Sequence, residues 1–305
     1  MSPPASRHRE PEPSHPGHRP EHPPAARRKE RATRPGERPP DAFYALWLDP
    51  TMTYSCALWA DGDNLEQAQL RKIDYHVAQA AAGSADRVLD LGCGWGGTLR
   101  RLTGTHGVRH AVGLTRSPQQ AARARARAGP RCEVRQEDWT AHRPDAPYDA
   151  ILCIGAFEHV AGLRLSRDEK VAGYRAFFSR CRSWLRPGGL LTLQTIALGY
   201  PADGPDEARD ALRMALTLLP GSQLPTLAEI HEAGADLLTC VRIRNDHDDY
   251  ARTCQCWLQR LLAARDRAVA LAGDATVTEY ERYLRASVRL FELGCMSLLR
   301  LTFRR

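Results

Sequence analysis

The segment Asp90-Leu-Gly-Cys-Gly-Trp-Gly-Gly97 holds the residue types and spacing that most directly imply chemistry. Glycines let a chain turn sharply and let a ligand approach the backbone, and a following helix N-terminus offers free N–H donors. A dinucleotide loop spaces its glycines G-x-G-x-x-G and needs an acid ending the second strand to hold a ribose. Here the spacing is G-x-G-x-G-G around Gly92 and Gly94, Asp90 precedes it, and the second strand ends Gly113-Leu-Thr115 with no carboxylate. Phosphate is disfavoured beside Asp90, whereas the ammonium and sulfonium of S-adenosylmethionine tolerate it. Glu137-Asp138-Trp139 suits the same ligand, because a carboxylate (Asp138) can accept from an adenine amino group while an indole (Trp139) packs on the purine face. A nucleotide cofactor or a ligand-free strand–helix turn would use the same glycines, and a surface turn accounts equally well for the tripeptide alone.

These residues need strands and helices to place them. Arg87–Leu91, His110–Leu114, Arg131–Arg135, Tyr148–Ile154 and Leu190–Thr195 read as strands. Between them, helical patterns begin at about Thr98 and run over Pro118–Ala128 and Gly173–Leu185, the last closed by Arg186-Pro-Gly-Gly189. Strands separated by helices of this length form parallel βαβ units, so an α/β fold with a doubly wound, mostly parallel sheet is expected. Residues 198–235, with a helical Asp206–Leu219 stretch, exceed a plain connection and read as an insertion covering the strand ends. Leu237–Ile243 and Ser297–Phe303 read as an antiparallel pair of late strands, with helices over Tyr250–Ala272 and Thr276–Leu293 between them. Leu65–Ala82 reads as an amphipathic helix ahead of the first strand.

Composition narrows the partners. The chain of 305 residues carries +7, but residues 1–40 contribute +4 of it and the remaining 265 residues only +3. A body so near balance has no electrostatic reason to seek nucleic acid. Residues 1–40 also hold 11 of the 21 prolines and lack Ile, Leu, Val, Phe, Trp and Tyr, so they cannot offset ordering entropy and are expected to be a disordered tail. The tail has no apolar centre for a signal peptide, and its five glutamates spoil an organelle-targeting pattern, which points to a cytoplasmic protein. No apolar run reaches the ~18 residues of a membrane span, leaving at most weak peripheral lipid contact through the Arg-rich tail. Nine cysteines scattered in apolar contexts read as free thiols, and the Cys254/Cys256 pair lacks companions for a zinc site, so no metal is expected.

Several separate motifs together resemble the cyclopropane fatty-acid and mycolic-acid cyclopropane synthases. They are Leu46-Trp-Leu-Asp-Pro-Thr-Met-Thr-Tyr-Ser-Cys56, Leu65-Glu-Gln-Ala-Gln69, Val88–Gly97, Gly113-Leu-Thr-Arg-Ser117, Ile154-Gly-Ala-Phe-Glu-His159, Leu219–Thr226 and Tyr250-Ala-Arg-Thr-Cys-Gln-Cys-Trp257. The resemblance spans residues 43–305 in order and implies a Rossmann-like class I methyltransferase, residues 41–305, with a helical cap over the strand ends from 198–235 and 250–293. It places the cofactor against Tyr54, Ser55, Gly92, Gly94, Thr115, Gln120 and Trp139. It places a bicarbonate ion, the base, against the backbones of Cys56 and Ile154 and against Glu158, His159 and Tyr250. In such enzymes an alkene attacks the sulfonium methyl and the resulting carbocation loses a proton to bicarbonate as the ring closes. A dry pocket protects that cation from water, and Tyr44, Trp47, Tyr54, Phe157 and Tyr250 are the aromatic faces expected to stabilise it.

The pattern is broken in three places. The family's His-Tyr-Asp lid stretch falls on Gly36-Glu-Arg38, the His before the base-site tyrosine is Asp249, and a late Tyr is Cys295. An intact base site beside altered covering parts points to C-methylation or cyclopropanation of a specialised metabolite, with phospholipid acyl chains as the alternative. Simple C-methylation, or ring closure assisted by the cofactor, stays open within the fold. A non-catalytic methyltransferase-fold binding protein is the alternative from another class, and the presence of Gly92, Gly94, Glu158, His159 and Tyr250 argues against it.

Overall fold

The computed structural model describes residues 39–162, 164–199 and 223–305. Its strands are β1 (Arg87–Leu91), β2 (His110–Thr115), β3 (Cys132–Gln136), β4 (Tyr148–Ile154), β5 (Leu185–Leu198), β6 (Thr239–Asn245) and β7 (Met296–Arg304). Its helices are α1 (Asp41–Tyr44), α2 (Leu65–Gln79), α3 (Gly97–Gly104), α4 (Pro118–Ala126), α5 (Arg167–Trp184), α6 (Leu227–Gly234), α7 (His247–Ala263), α8 (Arg265–Ala272) and α9 (Asp274–Glu292). The strands form one sheet in the order β3-β2-β1-β4-β5-β7-β6. β1 to β5 pair in parallel, and β7 runs antiparallel to both β5 and β6. This is the Rossmann-like, mostly parallel architecture expected, including the late antiparallel pair.

The strand order reverses between β1 and β4, so the loops leaving those two strands diverge there. Open α/β sheets bind ligands in that crevice, beyond the carboxyl ends of the strands. The glycine loop leaves β1 and the Phe157–His159 turn leaves β4, so both halves of the expected site open onto the same crevice.

Three packed clusters hold the sheet in place. Ile73 and Val77 of α2, Leu99 and Leu102 of α3 and Ala121 of α4 cover one side of β1 and β2. Tyr174, Phe177, Phe178 and Trp184 of α5, with Ile230 and Ala233 of α6, cover the other. The third cluster joins Phe43–Met52 to α7, α8 and α9 through Trp47, Trp257, Leu284 and Phe291. Each fully buried Ile, Val, Leu or Phe among them contributes about 1.5–3 kcal/mol. The helix starts are written locally: Asn64/Gln67, Ser166/Glu169 and Thr226/Glu229 each form a capping box.

Several boundaries differ from those the sequence suggests. The α2 helix stops at Gln79, since Ala81 and Ser84 take positive φ. The α5 helix starts at Arg167, six residues before the expected Gly173, because the Ser166/Glu169 box already caps it there. The α5 helix ends at Trp184, just before Arg186-Pro-Gly-Gly189 as expected, but that stretch is itself a bulge within β5, between Leu185, paired to Tyr148, and Leu190, paired to Ala150. The Tyr250–Ala272 helix is two helices, α7 and α8, meeting at Ala264. All nine cysteines are free. Residues 1–38 of the expected 1–40 tail, with its Gly36-Glu-Arg38 stretch, and the Asp206–Leu219 helix lie outside the described residues, whereas Pro39 is buried and Pro40 leads into α1, its carbonyl accepting from Phe43 N–H, so these two belong to the body. Among the described residues, no helix is long and apolar enough to cross a membrane.

Candidate active site

The glycine loop is pinned to the neighbouring strand. Gly92 and Cys93 both donate their N–H to the Leu114 carbonyl, at 3.0 and 2.9 Å. Gly92 has φ +86°, and a Cβ there would stand 2.5 Å from the Ala156 Cβ, so glycine is what lets the loops after β1 and β4 touch. Gly94, at φ +52°, is different: a Cβ there would meet nothing within 4 Å, leaving open space over the loop. Asp90 is buried at the end of β1, and its Oδ2 has no hydrogen-bond partner among the described residues. Burial pushes its carboxyl up to about 7, opposed by the charge of Lys72. A buried acceptor next to an open glycine cradle suits a ligand carrying an ammonium group, and it repels phosphate. The donor set therefore fits S-adenosylmethionine.

The remaining cofactor candidates line the same strand ends. Thr115 donates its hydroxyl to Gln120 Oε1 at 2.9 Å and accepts from Ser117 N–H, closing the end of β2. Ser55 is buried, its hydroxyl receiving Lys72 Nζ at 2.8 Å. Tyr54 is 36% exposed, its ring 5.2 Å from both Trp47 and Trp257. Asp138 has work within its own turn: Oδ1 accepts from the Thr140 N–H and hydroxyl, and Oδ2 lies 3.7 Å from Arg116. Trp139, half-buried, sets its ring edge-on to Phe177 at 5.5 Å.

The other half of the site is assembled from distant parts of the chain. Glu158 is buried, and its Oε1 accepts from the Ile196 N–H at 2.7 Å. Its Oε2 is buried with no partner among the described residues. Burial pushes this carboxyl up to about 7, partly opposed by the Ile196 N–H. Ile154 ends β4 in register with Gln194 of β5, whose carbonyl accepts from Gly155 N–H at 2.9 Å. Gln194 Nε2 donates in turn to the Cys56 carbonyl at 3.4 Å. The Cys56 thiol, donating to the Ala57 carbonyl at 3.0 Å, is pushed by burial up to about 12 and is not a nucleophile at neutral pH. Tyr250 sits in the first turn of α7, which is tied to the Cys56 segment because Ala57 N–H and Trp59 Nε1 both donate to Thr253 Oγ1. Burial, followed by neighbours that include Tyr283, Cys56 and Glu158, raises the Tyr250 phenol well above its usual range.

Cys56, Ile154, Glu158 and Tyr250 are therefore brought together, and His159 is not. His159 stands exposed on the Phe157–His159 turn, next in sequence to Glu158 but outside the buried group. Phe157 is a second correction. It lies in the α5 cluster, stacked on Tyr174 at 4.7 Å, and is not one of the aromatic faces over the site.

Those faces are more numerous than expected. Tyr54 is ringed by Tyr44, Trp47 and Trp257, while Tyr44 also packs on Trp95 at 5.3 Å and hydrogen-bonds Tyr280 through their hydroxyls at 2.8 Å. Tyr250 packs 4.5 Å from Phe291. Trp257, Tyr280, Tyr283 and Phe291 carry no role in the sequence reading, because their meeting with residues 44–54 is purely tertiary. Arg300, also missed, is buried on β7: it donates to Gln194 Oε1, to the Ala57 carbonyl and to Asp246, holding the Cys56 segment against β5.

The chain is similar to known proteins over most of its length. A family model described as mycolic acid cyclopropane synthetase matches residues 38–301. Cyclopropane mycolic acid synthase 1 of Mycobacterium tuberculosis is 32% identical over 269 residues, covering 83% of this chain and 90% of the relative. The structure of the cyclopropane synthase MmaA2 from the same organism superposes with a TM-score of 0.78 at 32% identity, over 87% of this chain and 94% of that one. Mycolic acid cyclopropane synthase CmaA1, solved with SAH and CTAB, gives 0.79 at 31% identity, over the same 87% and 94%.

Proposed function

The chain belongs to the mycolic acid cyclopropane synthetase family, and from that premise we propose an S-adenosylmethionine-dependent C-methyltransferase whose acceptor is an alkene or another nucleophilic carbon. Bound S-adenosylmethionine supplies an electrophilic methyl group. Asp90 would take its ammonium beside the Gly92 and Gly94 backbone, and Tyr54, Ser55, Thr115, Gln120, Asp138 and Trp139 would hold the rest of it, the last two taking the adenine.

The observation that carries the reading is the buried, half-satisfied carboxylate of Glu158. An oxygen without a donor in an apolar wall is costly unless a ligand hydroxyl or a proton occupies it. We assign bicarbonate, a small base, to that position: its hydroxyl meets Glu158 Oε2, Tyr250 donates its phenol, and the Cys56 and Ile154 backbones complete the cradle. With its carboxyl near 7, Glu158 can hold or release a proton at Oε2 during turnover. Tyr44, Trp47, Tyr54 and Tyr250 present ring faces to a carbon that becomes positive, and Trp257 and Phe291 behind them exclude water.

For the acceptor we favour a specialised metabolite, because Asp249 is used structurally, its Oδ2 taking Trp59 N–H at 3.2 Å, where the family pattern has a histidine. Acyl chains are the second reading, favoured by the relative that holds CTAB, an amphiphile with a long alkyl chain. Comparing lipids and small molecules from cells with and without the gene separates them. New cyclopropane acyl chains in bulk phospholipid select the second reading, and an unchanged lipid profile with a methyl- or ring-bearing metabolite selects the first. In carbonate-free buffer the reaction slows, and added bicarbonate restores it; a rate indifferent to bicarbonate would remove that ion from the account.

A further inference from the structure

We propose that His142 is a positioning residue for the cofactor: through a Glu137–His142–Tyr148 string of hydrogen bonds it fixes the turn after β3 and so sets Asp138 against the adenine amino group. The proposal rests on the cofactor reading above, in which Asp138 and Trp139 take the adenine.

Between Val134 of β3 and Tyr148, the first residue of β4, every residue but one is at least partly exposed; the exception is His142, at 0% exposure. A stretch so open needs an anchor, and a leucine would supply one by volume alone. A histidine adds two ring nitrogens that must find partners once buried. Both do: Nδ1 lies 2.6 Å from Glu137 Oε1, and Nε2 lies 3.1 Å from the Tyr148 hydroxyl. The carboxylate can only accept, so Nδ1 donates to it, and Nε2 is left to accept from the Tyr148 hydroxyl.

The same residue closes the turn through its backbone. His142 N–H donates to the Trp139 carbonyl at 3.2 Å, and Ala141 N–H to the Asp138 carbonyl at 3.0 Å. Helix α5 backs both ends, with Phe177 and Trp184 seven residues apart on one face. Phe177 packs edge-on to Trp139 at 5.5 Å, and Trp184 edge-on to His142 at 5.1 Å. Glu137 carries no role in the sequence reading, and here it becomes the link, one peptide bond from Asp138 with its carboxylate held by the imidazole. Asp138 Oδ1 is engaged by Thr140, whereas Oδ2 has only Arg116 at 3.7 Å among the described residues. Oδ2 is therefore the oxygen left for an amino group, and a small shift of the turn takes it out of hydrogen-bond range.

The test is calorimetric titration of the full-length protein with S-adenosylhomocysteine and with S-inosylhomocysteine, whose base has a carbonyl where adenine has its amino group. The wild type should prefer S-adenosylhomocysteine by about tenfold, the worth of a hydrogen bond to a carboxylate. His142→Leu should weaken S-adenosylhomocysteine about tenfold and the inosine analogue less than about twofold, because Trp139 keeps its own support on Phe177. Asp138→Ala should lose the same preference, and combining it with His142→Leu should cost no more than either alone, since one acts through the other. Tyr148→Phe removes only the outer bond of the string; it should weaken S-adenosylhomocysteine about threefold, and it serves if His142→Leu does not fold. Equal loss for both ligands, additive losses in the double variant, or a folded His142→Leu with the wild-type preference would overturn the proposal. A wild type that binds both ligands equally would remove Asp138 from the adenine, and the proposal with it. Absence of S-adenosylhomocysteine binding by the wild type would instead overturn the cofactor reading beneath it.

Discussion

The two halves of the crevice are built on different plans around the same device, a buried carboxylate with one oxygen left open. Asp90 sits in a continuous run, Asp90–Gly97, whose geometry is set by its own glycines and one neighbouring carbonyl. Glu158 gets its surroundings from four separate stretches: the Cys56 segment, β5, α7 and α9. The difference teaches where each half is vulnerable. The cofactor half fails by backbone change within the loop, whereas the base half fails by loss of single side chains or of the packing that gathers them.

Glu158→Gln should have the largest effect on turnover, a fall of about 10²–10⁴-fold, with affinity for S-adenosylhomocysteine nearly unchanged. At saturating cofactor, where Asp90 is already committed, wild-type turnover should fall as pH drops through about 7 and Glu158 takes up a proton. The variant should lose that limb. Equal loss of cofactor binding would show that the two halves are one.

Gly92→Ala should come next. The new methyl meets Ala156 at 2.5 Å and the backbone is held at φ +86°, so about 1–3 kcal/mol of stability should go together with cofactor affinity. Gly94→Ala sharpens the contrast, because its Cβ points into open space: affinity should fall with a stability cost of only about 1–2 kcal/mol. Thermal melts with and without S-adenosylhomocysteine measure both effects. Tyr250→Phe removes one donor from the base half, and turnover should fall about tenfold with binding unaltered. Phe157→Leu should be the mildest, costing about 1 kcal/mol of stability while leaving turnover near wild type, because the ring belongs to the α5 cluster. A large loss of turnover there would return Phe157 to the site.

The same contrast explains what the sequence discloses. The strand–glycine–helix segment is legible because its signal is local: Asp90, Gly92 and Gly94 are read from spacing and found where spacing puts them. The parallel core follows from alternating strand and helix patterns, and the Pro-Gly signal of Arg186-Pro-Gly-Gly189 is expressed as a bulge in β5, which pairs with β4 at Leu185 and again from Leu190. Resemblance locates Glu158 and Tyr250, but adjacency misplaces His159 and Phe157, since a single tight turn sends three consecutive side chains in three directions. Gln69, Lys72 and His76 read as the polar side of an amphipathic helix, and that side faces the strands instead of water. Tyr280, Tyr283 and Phe291 look like the apolar stripe of a late helix; that they complete an aromatic wall with residues 44–54 is fixed only when α9 packs.

The central claim, that Glu158 holds a bicarbonate as part of a base site separable from the cofactor site, is tested most directly by magnetic resonance with isotope-labelled bicarbonate. The experiment uses protein saturated with S-adenosylhomocysteine and needs no knowledge of the acceptor. The account predicts bound bicarbonate in the wild type and its loss in Glu158→Gln, with S-adenosylhomocysteine still bound to both. No bound signal in the wild type, or equal binding in the variant, would contradict it.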